Sequence, residues 1–241
     1  MFQRFKVHAA KLLAYFVPQA VSEQIIKKRN AEAGFQRFCY SQEGEEIILR
    51  RFFNYKNSGF FVDIGAHHPL RFSNTYVLYT MGWRGINIDA TPGSMEEFKK
   101  LRKEDINIEA AISDNVEQVN FYRFNETALN TFDERKANAI VSAGTYKLTG
   151  TTALLTQTLA TTLIQHIAEG TEIDFFSIDA EGFDLKILKS NDWTKFKPRV
   201  ILIESANVDI DKLHQDEICI YLTGLGYKAF AKTFRSVFYY C

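Results

Sequence analysis

Four short apolar runs in this chain each finish on an acid, and that recurrence restricts the fold more than any other feature. They are Phe60-Phe61-Val62-Asp63, Ile86-Asn87-Ile88-Asp89, Phe175-Phe176-Ser177-Ile178-Asp179 and Val200-Ile201-Leu202-Ile203-Glu204. Short runs that stay apolar instead of alternating fit strands buried on both faces of a parallel sheet. The stretches around residues 74–81, 92–101 and 182–189 read as helices, and a further strand over 106–112 ends at Ser113-Asp114. Strand, helix and strand repeated at this spacing predict right-handed βαβ units. A helix over 211–222 then precedes two strand signals, 227–231 and 235–240, whose short turn makes them a hairpin. The expectation is an α/β fold: a mostly parallel sheet with helices on both faces and a C-terminal β-hairpin supplying one antiparallel strand.

The remaining segments are read more coarsely. Residues 1–38 are helical in pattern and mixed in charge, so 1–40 forms an N-terminal helical extension and 41–241 one domain. Ser41 opens a helix as its cap, with Ile47, Ile48, Phe52 and Phe53 on the apolar face. Residues 119–124 have strand propensity, 125–150 read as an inserted loop or lid, 153–158 as a strand or a helix start, and 161–167 as helix.

With 46% hydrophobic and 24% charged residues, the chain has a full core to bury, which excludes a disordered or low-complexity polymer. Lys+Arg 29 against Asp+Glu 29 leaves no net charge, so there is no electrostatic case for a nucleic-acid partner. Cys39, Cys219 and Cys241 are odd in number and widely spaced, which predicts neither a disulfide framework nor a zinc site. The apolar stretch over 9–17 is broken by Lys11 and ends at Pro18, far short of the roughly 20 residues a bilayer span needs. No cleavage site follows it, so the expectation is a cytoplasmic protein without a signal peptide. Its amphipathic start packs on the domain or on a second copy in a homo-oligomer, with peripheral membrane contact the alternative.

Ligands of open α/β sheets bind beyond the carboxyl ends of the strands. A turn or capping role explains any one acid there, whereas Asp63, Asp89, Asp179 and Glu204 at equivalent ends mark an edge that carries chemistry. Asp89 stands where an acid accepts the ribose hydroxyls of an adenosine cofactor. The turn Asp63-Ile64-Gly65-Ala66-His67-His68-Pro69 has one glycine instead of the GxGxxG of dinucleotide enzymes. An acid two residues before that glycine suits a cofactor with a cationic amino group and no phosphate, which favours S-adenosylmethionine over NAD. A nucleotide-binding oxidoreductase of the same topology, or a non-catalytic scaffold on it, remains open at this level.

These runs, together with Ser73-Asn74-Thr75-Tyr76, Gly82-Trp83-Arg84-Gly85 and Asp179-Ala180-Glu181-Gly182-Phe183-Asp184, resemble the FkbM family of S-adenosylmethionine-dependent methyltransferases over residues 40–205. Ser41-Gln42-Glu43-Gly44-Glu45 is similar to an upstream motif of one branch, which brings Gln42 to the cofactor. The resemblance implies a Rossmann-like class I methyltransferase with a seven-stranded sheet, transferring a methyl group to a hydroxyl of a sugar, glycan or secondary metabolite, with polysaccharide biosynthesis one setting. It implies that Asp63, Gly65 and Ala66 hold the methionine end, Asp89 the ribose, and Ala111, Ile112 and Ser113 the adenine edge. This chain departs from the commoner family turn, carrying His67 and Pro69 where that turn has Asn and a second Gly.

Methyl transfer needs an aligned acceptor oxygen and a group to take its proton. Asp179, at the end of the strand beside the first, is the expected base, with Glu204 close by. Asp179, Glu181 and Glu204 also form an oxygen-rich set of the kind Mg²⁺ prefers. His67 is expected along the cofactor and His68 near the reaction centre, since histidine transfers protons near neutral pH. The acceptor is a small molecule or saccharide, and the aromatic-rich stretch 120–132 contributes its pocket.

Overall fold

The computed structural model describes residues 39–206 and 208–241, so the expected extension over 1–38 lies outside the described residues. Seven strands form the main sheet, in the order β3-β2-β1-β7-β8-β10-β9. They are β1 (Phe60–Ile64), β2 (Arg84–Asp89), β3 (Ile106–Glu109), β7 (Phe175–Ile178), β8 (Val200–Glu204), β9 (Lys228–Lys232) and β10 (Ser236–Tyr240). β1 pairs in parallel with both β2 and β7, and β10 runs antiparallel to both its neighbours, as the hairpin signal predicts. Chain order reverses between β1 and β7, where β1 feeds β2 on one side and the later strands fill the other. That reversal is where an α/β sheet opens a crevice at its carboxyl edge.

The strands are buried on both faces because each face carries its own core. Val62, Ile64, Ile86, Ile88, Phe176, Ile178, Ile201 and Ile203 pack with Leu159 and Leu163 of α5 (Leu159–His166), Ile187 and Leu188 of α6 (Asp184–Lys189), and Leu222 of α7 (Glu217–Gly224). Phe61, Phe175, Val200, Leu202 and Phe238 pack instead with Leu49 of α1 (Glu45–Phe52), with Phe53, with Leu78 of α2 (Tyr76–Thr80) and with Trp83. Alternation at period two thus sorts each run between two layers.

On the second face the apolar layer gives way to polar residues toward the carboxyl edge. Asp63 is in register with Asn87 on one neighbour and Ser177 on the other. Thr75 Oγ1 donates to Asp63 Oδ2 at 2.7 Å and accepts from Arg102 Nη2 at 3.2 Å. Arg102, fully buried just after α3 (Met95–Leu101), pairs through Nε with Asp105 Oδ2 at 2.8 Å. Asn87 donates to the same Asp105 oxygen and to Asn107. A buried charge pair of this kind sits in a well-satisfied network that extends from β3 to the floor under the first turn.

Several segments differ from the sequence expectation. The helix after Ser41 starts at Glu45 with Gly44 as its N-cap, and the Ser41 hydroxyl accepts from Gly44 N and donates to Glu46 instead. Ile47 is 47% exposed and Leu49 takes its place inside. The strand expected over 106–112 breaks at Ala110: β3 stays in the main sheet, while β4 (Ala111–Ile112) joins a second sheet, β4-β6-β5, with β5 (Gln118–Phe124) and β6 (Leu148–Gln157). Within 125–150 lie a 3-10 turn, Thr127–Leu129, and a capped helix, α4 (Glu134–Ala143), with Asp133 accepting from the amides of Arg135 and Lys136. The helix expected over 211–222 is two pieces, because Asp216 caps α7 through Cys219 N after the 3-10 turn Ile210–Gln215. Among the described residues no helix is long and apolar enough to cross a membrane.

Removing the buried guanidinium in Arg102→Leu strands Asp105 without its counter-charge. The variant is expected to lose about 3–5 kcal/mol in urea unfolding, with the slope unchanged; a loss under about 1 kcal/mol would show that the network carries little of the fold's stability.

Candidate active site

A cleft of about 860 Å³, measured to its open mouth, lies at the carboxyl edge between β1, β2 and β7. Gly65 makes it. This residue follows β1 at φ +79°, and a Cβ placed on it would lie 1.8 Å from the Asp179 carbonyl oxygen. Only glycine combines that conformation with that approach, so the turns after β1 and β7 touch through bare backbone. Gly65 N and Ala66 N both donate to Ile88 O, and Asp179 N donates to Ile64 O, so the turn is tied to both neighbouring strands.

Two non-glycine residues in left-handed conformation flank this contact, His67 at φ 54° and Glu181 at φ 51°. Such strain persists only where surroundings over-determine it. His67 N donates to Asp89 Oδ2 at 2.9 Å, and Asp89 Oδ1 accepts from Thr91 N at 2.8 Å. Asp89 therefore clamps the two turns that border the cleft while its carboxylate still lines it. On the other flank, Thr131 Oγ1 donates to Glu181 O at 2.8 Å, and Asp184 accepts from the amides of Ala180 and Gly182. The D-x-E-G element is thus a loop tied by its own hydrogen bonds, with helix α6 beginning after it.

The charges deepen toward this loop. Burial, then the neighbouring Glu204 and Glu181 carboxylates, push Asp179 well above the ordinary aspartate value of 3.8. Glu181 is raised by burial and by Glu204, against the pull of Lys136. Burial opposes the charge on Lys136, but the Glu181 carboxylate it binds raises it overall. Arg235 Nη2 donates to Glu204 Oε1. Asp179 Oδ1 is buried with no hydrogen-bond partner among the described residues. His67 is lowered by burial; its Nε2 meets Thr127 Oγ1 at 3.0 Å, and its buried Nδ1 also lacks a partner.

Most residues expected from sequence meet here. Gln42, Asp63, Gly65, Ala66, His67, Asp89, Ile112, Asp179 and Glu181 all line the cleft. Glu204 lines an adjoining groove, yet one oxygen of each of Asp179, Glu181 and Glu204 lies within 4.8 Å of the others. Three expectations are corrected. Ala111 and Ser113 are buried away from the cleft: Ala111 pairs with Thr156, and Ser113 N donates to Gln157 O. Because side chains alternate along an extended segment, Ala110 faces the cleft beside the expected Ile112. His68 lies outside the cleft lining; its Nδ1 accepts from the amides of Leu70 and Arg71 and its Nε2 pairs with Glu97 at 2.9 Å. It folds the turn.

The sequence reading missed Asn74 and Ser177, which line the cleft beside Asp63 and bond to each other at 3.1 Å. The period-two match of Asp63 with Ser177 was the available signal. Glu45, within the upstream motif, is buried under the hairpin and accepts from Glu43 N and Thr233 Oγ1, so only Gln42 of that motif reaches the cleft.

The cleft fits S-adenosylmethionine on features of its own: a single-glycine turn that brings the loops after β1 and β7 together, acids along its lining, and buried polar atoms on His67 and Asp179 without a partner among the described residues. Lys136 already engages Glu181 and Arg235 engages Glu204, so two of the three converging carboxylates carry a counter-charge, which weakens the set as a Mg²⁺ site.

The family model described as Methyltransferase FkbM domain matches residues 63–229. None of the curated proteins matches this chain. Among solved structures it is similar to a precorrin-6y C5,15-methyltransferase from Geobacter metallireducens GS-15, at 12% identity over 86% of this chain and 94% of that one, with TM-score 0.43. It is also similar to a methyltransferase from Geobacter sulfurreducens, at 11% identity over 97% and 95%, with TM-score 0.39. A third is the Pyrococcus abyssi tRNA (uracil-54, C5)-methyltransferase in complex with S-adenosyl-L-homocysteine, at 12% identity over 85% of this chain and 40% of that one, with TM-score 0.37.

Gly65→Ala forces a Cβ into the Asp179 carbonyl, and thermal or urea unfolding is expected to show a loss above about 2 kcal/mol. The carboxylates give a pH signature. Asp179, Glu181 and Asp184 are all raised, primarily by burial, so between the ordinary carboxylate range and their raised values the folded chain binds more protons than the unfolded one. Their contribution is complete below the ordinary range and is lost as pH rises through the folded values. Stability of the ligand-free protein should therefore fall as pH rises from the ordinary carboxylate range through the raised folded values, and Asp179→Asn should flatten that fall; an unchanged slope would contradict the charge arrangement.

Proposed function

This chain belongs to the FkbM family of methyltransferases, and from that premise we propose that it is an O-methyltransferase whose acceptor is a hydroxyl of a sugar, glycan or secondary metabolite. Its reaction class is S-adenosylmethionine-dependent methyl transfer. We assign the methyltransferase domain to residues 41–241. The observation that carries the oxygen acceptor is Asp179: a carboxylate at the cleft edge, raised by burial and by Glu204, with one oxygen unpartnered.

S-adenosylmethionine supplies a methyl group on a sulfonium, activated without help from the protein. What the chain must do is hold the donor, align an acceptor oxygen on the far side of that methyl, and take a proton. Gly65 and Ala66 offer the close backbone turn and Asp63 the buried acid for the methionine end, with Thr75 orienting Asp63. Gln42 borders this end from the N-terminal side of the domain. Asp89 accepts from the ribose hydroxyls with the lone pairs that His67 N and Thr91 N leave free. Ala110 and Ile112 border the adenine edge. His67, lowered by burial, lines the cleft as a hydrogen-bonding group.

Asp179 takes the acceptor proton on its carboxylate. A raised carboxylate is the stronger base, and a value moved toward neutral pH suits that task. Glu204 acts on Asp179 through charge: its carboxylate, held by Arg235, disfavours a second negative charge beside it and so raises its basicity. Glu181 does the same from the loop, held by Lys136. No step is routed through Mg²⁺.

Asp179→Asn is expected to lower kcat by about 10²–10⁴ while S-adenosylhomocysteine binding persists. Asp89→Ala should instead weaken S-adenosylhomocysteine by roughly tenfold or more, through the lost ribose hydrogen bonds. Both are read by titration calorimetry and by label transfer to a saccharide panel. Undiminished transfer by Asp179→Asn would contradict its role as base. Activity should also survive EDTA; loss on EDTA with recovery on Mg²⁺ would assign the three carboxylates to a cation.

A further inference from the structure

Beside the cofactor cleft lies a second, broader groove of about 1580 Å³ including open solvent, and the two share Gln42, Phe72, Ala128 and Glu181 as a common wall. The groove is therefore the approach to the edge where Asp179 stands. Three features of its lining indicate what enters it.

The first is an unanswered hydroxyl. Ser205 follows Glu204 at the end of β8 and is 8% exposed, yet its Oγ has no hydrogen-bond partner among the described residues. Its backbone is fixed: Ser205 N donates to Arg235 O at 2.7 Å, and Ser205 O accepts from Lys232 Nζ at 3.3 Å. Buried polar atoms in folded proteins are nearly always satisfied, so an orphan hydroxyl in a groove wall is a group awaiting a ligand.

The second is charge. Each of the three cations in the lining is already held by its own carboxylate: Arg71 by Glu126, Lys136 by Glu181 and Arg235 by Glu204. Three further carboxylates, Asp133, Asp184 and Asp216, line it too. Among the described residues, six acids against three bases leave the groove formally negative, with no lining cation free for a phosphate or carboxylate. The third is shape chemistry: Phe72 and Tyr146 line the groove at 38% and 39% exposure, flat apolar faces among hydrogen-bonding groups.

We propose that this groove is the acceptor subsite, that it takes an uncharged, hydroxyl-rich molecule carrying neither phosphate nor carboxylate, and that Ser205 is the specificity-determining residue that anchors it beside Asp179. This rests on the methyl-transfer reading above and narrows its acceptor. Carboxylates held by cations accept hydroxyl protons without the cost of an unpaired charge, whereas an anion entering here would meet only acids and pre-engaged bases.

The test uses the full chain saturated with S-adenosylhomocysteine, probed by saturation-transfer NMR with three matched ligands: methyl glucoside, methyl glucuronide and glucose 6-phosphate. The glucoside should bind, with both anions roughly tenfold weaker or worse. Ser205→Ala should weaken the glucoside about three- to tenfold, the loss of one buried hydrogen bond, and Ser205→Thr should restore part of it. S-adenosylhomocysteine affinity should be the same in all three proteins, which separates an effect on the groove from a folding defect. Equal or tighter binding of either anion, no binding of the glucoside, or a Ser205→Ala protein that binds it as well as wild type would overturn the proposal. If S-adenosylhomocysteine itself failed to bind wild type, the methyl-transfer reading would fall; retained binding with a failed glucoside arm removes this inference alone.

Discussion

Everything at the carboxyl edge of the sheet depends on one backbone contact, the bare Cα of Gly65 against the carbonyl of Asp179. It occurs where β1 and β7 lie side by side, the point at which chain order reverses. A side chain there would hold the two turns apart and separate the residues of β1 and β2 from those of β7 and β8. With glycine, the turn after β1 folds under the loop after β7, and the strain of that closure falls on His67 and Glu181 at positive φ. Asp89, bonded to the amides of His67 and Thr91, and Asp184, bonded to those of Ala180 and Gly182, hold the two loops in shape.

The acids that such an edge collects are costly to bury, and the fold handles them in two ways. Asp63 and Asp105 belong to a closed polar network with Arg102, Thr75 and Asn87, where each group has partners and Asp63 meets the cleft from within it. Asp179, Glu181 and Glu204 are compensated only in part: Lys136 and Arg235 engage the outer two, and one Asp179 oxygen has no partner among the described residues. Groups so perturbed, sitting in a cleft, are where chemistry is expected. Lys136 comes from α4 and Thr131 from the chain just before it, so the segment between β5 and β6 is bonded directly to the D-x-E-G loop.

The parallel strands and the hairpin were legible in the sequence because each is a local signal: an apolar run closed by an acid, or two runs across a short turn. The acids at the strand ends placed Asp63, Asp89 and Asp179 at the cleft for the same reason. The segment 125–150 was not legible as structure. Its helix buries only Ala137, so its apolar stripe is weak, and the caps Asp133 and Gly144 were the signals that marked it. The break at Ala110 also lacks a local cause; it follows from pairing of Ala111–Ile112 with Thr156–Gln157 far along the chain. That pairing leaves Ile112 facing the cleft, adds Ala110 and turns Ala111 and Ser113 out of the lining, which no composition or spacing rule foretells. His68 was read as chemistry because histidine titrates near neutrality, yet in a turn its ring nitrogen found two backbone amides first.

A dinucleotide site and a methyl-donor site can be built on the same sheet, and they differ in what the first turn offers. This turn has one glycine, an acid below it and an acid clamping it, a set made for a ligand without a pyrophosphate. Titration calorimetry of the wild-type protein with S-adenosylhomocysteine and, separately, with NAD is the most direct measurement of that claim. Saturable one-to-one binding of S-adenosylhomocysteine with no heat from NAD is the expected result; binding of NAD with none of S-adenosylhomocysteine would contradict the account at its base.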